Sequence, residues 1–214
     1  MAKNKVTKII PYKYDGYSIS LETEKSRDKF IKRVERIVRS SMEYRDYIRF
    51  LKENIDLTRC LFFPKVDGTI RGISIEQHHE PFGLYDITNI VLERHLQEGI
   101  PLTDLLIAEE VIDLHYRNLV GFTPLSKTIH QVITNSKKII VPLFAVYGNY
   151  AKLIEEYDKY IDDLGYIYPK LELKIHLTKT INSESFKILN PEFTYLEVEG
   201  FPLIEKISED EREE

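Results

Sequence analysis

Apolar positions along the chain change their period several times, and each change marks an element. Residues 6–21 alternate around Asp15 and Gly16, which predicts a β-hairpin turning at that dipeptide. From Glu22 the spacing becomes three and four. Phe30, Val34, Ile37, Val38, Ser41, Tyr44, Ile48 and Leu51 then define one face of a single long helix. Asp67 and Gly68 separate the apolar runs 60–66 and 70–76, so a second hairpin is predicted there. Helices are expected over 84–98 and 103–116, divided by Glu98, Gly99, Ile100 and Pro101. Residues 118–125 read as a short extended segment, and Ser126 as the N-cap of a helix bearing Ile129, His130, Val132 and Ile133. An extended stretch over 138–142 precedes a helix over 148–164 that Gly165 stops. Alternation at Leu171, Leu173, Ile175 and Leu177, and again over 193–198, predicts two closing strands. The fold class is α+β.

The chain has 214 residues, 43% hydrophobic and 30% charged, with one cysteine. These values exclude a disordered or membrane-embedded chain, and the lone Cys60 excludes an internal disulfide framework or a multi-cysteine zinc site. No apolar run approaches the ~18 residues of a bilayer span. The first residues lack the apolar core of a secretory signal, so a cytoplasmic location is expected. Charge is unevenly placed. Residues 1–52 hold 14 Lys and Arg against 7 Asp and Glu, while the remainder holds 16 against 28 and ends in an acidic run after Ser208. The N-terminal third is therefore the expected phosphate-facing surface, with Arg33, Arg36, Arg39 and, further on, Lys127 as candidate nucleic-acid contacts.

Five of six histidines (His78, His79, His95, His115 and His130) fall between positions 78 and 130. Imidazole is the usual metal ligand and general base near neutral pH, so the window invites a site. Neighbours on a regular strand point to opposite faces, and His78 and His79 therefore serve one site only where the strand ends. Pro81 and Gly83 follow at once and predict such a bend.

The order of hairpin, paired histidines, Asn118-Leu-Val and a helix bearing His130 resembles the HNH nucleases, and specifically phage-encoded members with a ββα-metal core. The resemblance covers about residues 60–136 and rests on Glu76 through Asp86, Asn118 through Val120 and Pro124 through His130. It implies a metal-dependent endonuclease that hydrolyses phosphodiester bonds of double-stranded DNA. By that likeness His78 and His130 are metal ligands, His79 is the general base that activates water, and Asn118 orients the base. Mg²⁺ or Mn²⁺ is the implied working ion, with Zn²⁺ or Ni²⁺ also acceptable to imidazole ligands.

Three segments follow from this likeness. Residues 1–56 form a hairpin and basic helix, 57–136 an HNH-like core with a helical insertion at 84–117, and 137–214 a helix, β-hairpin and acidic tail. Position 134 is Thr where a further helix histidine would stand, and no cysteine pairs brace the core. With the acidic balance and large appended segments, these departures support an alternative. In it the HNH-like fold is inactive and serves as a binding or assembly protein of a phage transcription, packaging or virion complex, meeting a protein partner through its terminal segments.

Overall fold

The protein is described by a computed structural model over residues 12–14, 17–19, 21, 23–136 and 139–181. Strands β1 (Tyr12–Tyr14) and β2 (Tyr17–Ile19) pair antiparallel with Tyr14 opposite Tyr17, the register that a turn at Asp15 and Gly16 predicts.

The expected long helix is two helices, α1 (Glu24–Ser40) and α2 (Met42–Glu53). Ser41 divides them with extended backbone angles, φ −65° and ψ 154°. Its hydroxyl accepts from the Tyr44 amide at 3.1 Å and donates to the Val38 carbonyl at 2.8 Å. A serine that caps both neighbours competes with a continuous helix, although the apolar period runs straight through it.

The hairpin expected around Asp67 does not form. Residues 60–74 make a turn-rich loop whose ladder pairing is one isolated bridge, Arg59 to Asp67. The Asp67 carboxylate takes the Thr69 amide at 2.8 Å and the Thr69 hydroxyl at 2.5 Å, and this local turn chemistry displaces the strand pairing. The Leu61 amide instead bonds the Pro124 carbonyl at 2.9 Å, which ties the loop to a distant strand.

Strand β3 (Ile75–His79) leads into helices α3 (Leu84–Glu98) and α4 (Asp104–Tyr116), then strand β4 (Phe122–Ser126) and helix α5 (Lys127–Ser136). β3 and β4 pair antiparallel, His78 opposite Thr123 and His79 opposite Phe122. After a 3₁₀ turn at Leu143–Ala145 come α6 (Tyr150–Leu164) and α7 (Ile167–Lys179). Helix α7 replaces the first closing strand. Ile167, Leu171, Ile175 and Thr178 are buried at helical spacing while Leu173 is 58% exposed, so the apparent alternation was two helical rows read as one. The second closing strand, 193–198, lies outside the described residues.

Helix α3 is the axis of the molecule. Ten of its residues, among them Ile87, Ile90, Val91 and Leu92, are buried, and α1, α4 and α6 all pack on it. Several of its buried polar groups are met from those neighbours. Arg27 of α1 binds Asn89 at 2.8 Å and Glu93 at 2.7 Å. Glu110 of α4 binds His95 at 2.8 Å and Arg94 at 2.6 Å. One apolar cluster reaches from Phe30 to Ile175, so the described parts of all three expected segments share a core.

Candidate functional site

Strand β3 has two sides with different fates. Ile75 and His79 turn inward and are buried, whereas Glu76 and His78 face α5 and stay partly accessible. The strand runs regularly through His79 and ends there, with the bend expected from Pro81 and Gly83 following at residues 81–82, so the two rings lie on opposite faces.

On the outer side, His78 and His130 approach edge to face with centroids 4.9 Å apart. His130 Nδ1 lies 2.5 Å from a Glu76 oxygen. His78 Nε2 lies 3.4 Å from Glu80, whose other oxygen is held by the Lys174 ammonium of α7. That ammonium also donates to the Pro81 carbonyl at 3.1 Å. Burial works to raise the Glu80 carboxyl, but the Lys174 charge and hydrogen bonds from His78 and Lys174 outweigh it and hold the group below the ordinary carboxylate range. The two expected metal ligands do converge. Each has a carboxylate beside it, Glu76 against His130 and Glu80 against His78, and among the described residues no set of three or more His, Cys, Asp or Glu side chains is arranged to hold an ion.

On the inner side, His79 is 6% exposed and His115 is fully buried. Their Nε2 atoms are 3.2 Å apart, and His115 Nδ1 lies 2.6 Å from the Val111 carbonyl. One tautomeric arrangement satisfies both contacts with neutral rings: His115 Nδ1–H donates to Val111, and His79 Nε2–H donates to His115 Nε2. Tyr44 stacks on His79 with an interplanar angle of 8°, and the Phe122 centroid is 4.5 Å away. Burial lowers His115 to about 4, against a smaller upward pull from the Val111 bond. Burial, followed by His115, drives His79 well below its ordinary value. The general-base expectation for His79 meets a difficulty in this geometry: the ring is sealed among aromatic side chains, away from any surface where a phosphate and its attacking water would sit.

Asn118 has φ +57°, the left-handed region. Its amide bonds the His115 carbonyl at 2.9 Å, and the Leu119 amide bonds the Leu114 carbonyl at 3.0 Å. That pair of bonds is a Schellman termination of α4, with Asn118 at the position glycine or asparagine favours. Its side-chain oxygen is buried and has no hydrogen-bond partner among the described residues. An asparagine just past the last turn of a predicted helix was itself the signal for this role.

The candidate phosphate contacts separate as well. Arg33 is paired with Asp104 at 2.7 Å, and Lys127 is exposed at the start of α5. Arg36 and Arg39 remain on the outer face of α1, with Lys25, Lys29 and Lys32 exposed beside them.

A family model described as bacteriophage G278-like virion protein matches residues 3–194. The chain belongs to that family. No curated protein and no solved structure matches it. The G278-like assignment supports the expected phage origin and brings no nuclease with it. Among the described residues of this virion-family chain, no helix is long and apolar enough to cross a membrane.

Proposed function

We propose that this chain is a structural or assembly component of a phage particle, in which the β3–β4–α5 unit is a folding scaffold and does not cleave DNA. The match to a virion protein family over residues 3–194 carries this reading. The burial of His79 against His115 supports it, because the side chain best placed in sequence to activate water contributes to the core instead. Assembly proteins need rigid surfaces, and the polar ties from α3 to α1, α4 and α7 provide one.

Gradient-purified particles test the proposal. The chain is expected at a fixed copy number per particle, and phage lacking it are expected to yield defective particles. Its absence from particles that assemble normally would refute the reading.

A second reading keeps the metal-dependent nuclease, and one observation favours it: the strand–strand–helix order with His78 and His130 in ring contact. Plasmid nicking with Mg²⁺ or Mn²⁺, repeated with chelator and with His79→Ala, separates the two. Metal-dependent nicking that disappears in that variant selects the nuclease. Calorimetry of the purified chain with Mn²⁺ and Ni²⁺ reports directly on His78 and His130.

A further inference from the structure

The outward face of α1 carries Lys25, Lys29, Lys32, Arg36 and Arg39, all exposed. They recur at i, i+4, i+7, i+11 and i+14, so they keep to one narrow stripe, opposite the buried Phe30, Ile31, Val34 and Val38. At ~1.5 Å per residue the stripe is about 21 Å long. The carboxylates of α1 (Glu24, Asp28 and Glu35) fall on one flank of it. Two of them meet stripe residues, Asp28 with Lys32 at 2.9 Å and Glu35 with Arg39 at 4.0 Å, in exposed pairs that contribute little and open readily. Lys25 and Lys29 have no carboxylate partner among the described residues, and Arg36 donates only to the Lys32 carbonyl, at 3.3 Å. Where α1 ends, the Arg45 guanidinium binds the Ser41 and Ser40 carbonyls at 3.1 and 3.2 Å and extends the positive surface.

We propose that this stripe docks the phosphate backbone of duplex nucleic acid without reading its bases. A duplex strand presents a phosphate every ~3.4 Å along the axis, so a ridge of this length faces about six phosphates with five cations. The single aromatic residue of α1, Phe30, is buried, so the helix offers no platform on which the bases of a single strand would stack. The acidic run at 205–214 is a weaker match, because Lys206 and Arg212 interrupt its carboxylates. Backbone docking does not depend on incorporation into a particle, so its failure would leave the assembly reading standing.

Binding of the full chain to a labelled random-sequence duplex, followed by anisotropy across salt concentrations, tests the stripe. Five phosphate contacts predict a log–log slope near −4.5 and a loss of about 500-fold in affinity between about 50 and 200 mM salt. Lys29→Glu/Arg36→Glu is expected to reduce the slope by about two and weaken binding at least ~10-fold, with helical circular dichroism and thermal unfolding unchanged. The proposal is overturned by undetectable or salt-insensitive binding, or by a charge-reversed variant that binds as tightly as the parent. Binding that appears only once residues 205–214 are removed also overturns it, since the acidic run would then be the stripe's occupant.

Discussion

Acidification below neutral pH should unfold this protein through two imidazoles that its core keeps uncharged. His79 and His115 are neutral in the folded state and ordinary in the unfolded chain, where their pKa is about 6.5. A folded pKa lowered by burial means that the unfolded state binds more protons, so stability is full above about pH 6.5 and declines as pH falls toward the folded value. For His115, with a folded value of about 4, the loss between about pH 7 and pH 5 is about 2 kcal/mol. His79 lies well below its ordinary value for the same first cause, burial, and adds to the loss in the same direction. Even the His115 share is sizeable beside the ~5–15 kcal/mol typical of a domain. Urea denaturation at successive pH values measures it directly: the midpoint should fall while the m-value holds. The variant His79→Phe/His115→Leu, which replaces the pair with apolar groups, should flatten the profile over the same interval. Imidazole NMR titration gives a second reading, with the His115 ring protonating only near about pH 4 and His79 well below its ordinary value in the folded chain. A flat parent profile, or an unchanged decline in the double variant, would refute the assignment of both rings to the neutral core.

Three further outcomes are expected. Gly121→Ala should cost about 2–4 kcal/mol by thermal unfolding, because an added Cβ would sit 1.9 Å from the Glu80 carbonyl oxygen and 2.7 Å from Val146. Lys174→Met strands the buried Glu80 carboxylate and should cost about 3 kcal/mol, much of it recovered when Glu80→Gln is added. Asn118→Gly should fold within a few tenths of a kcal/mol of the parent while Asn118→Ala loses about 1 kcal/mol, the signature of a left-handed helix stop. A large loss in the glycine variant would mean that the buried side-chain amide matters for itself.

Helices α3, α4 and α6 were legible because their ends are written in the sequence. Gly99 and Gly165 close their helices in the left-handed conformation, and the Thr103 hydroxyl caps α4 through the Leu106 amide at 3.1 Å. The division at Ser41 and the helix at 167–179 were not. In the first, a single capping hydroxyl outweighs a continuous apolar period, and in the second Leu173 completes an alternation although it faces solvent. The candidate site was legible in part. Strand alternation alone assigns His78 and His79 to opposite faces, and the structure keeps that rule because the strand stays regular through both and bends only at Pro81, where the sequence predicts it. The partnership of His79 with His115 could not be read, since it depends on how a helix 36 positions away lies across the strand pair. The convergence of His78 with His130 was expected from the likeness to HNH nucleases alone, and the strands that bring it about, β3 and β4, are not the hairpin expected around Asp67.

The pairing of β3 with β4 also constrains the order in which the chain can fold. Residues 80–121 intervene between the paired His79 and Phe122, and closing so long a loop from an open chain costs about 3 kcal/mol of entropy before the ladder returns anything. Helices α3 and α4 reduce that distance: Arg94 and His95 meet Glu110 across a short connection, and the helical hairpin so formed brings the two strand ends together. The helical hairpin is therefore expected in the nucleus, with high φ-values in α3 and α4 and low ones in β3 and β4.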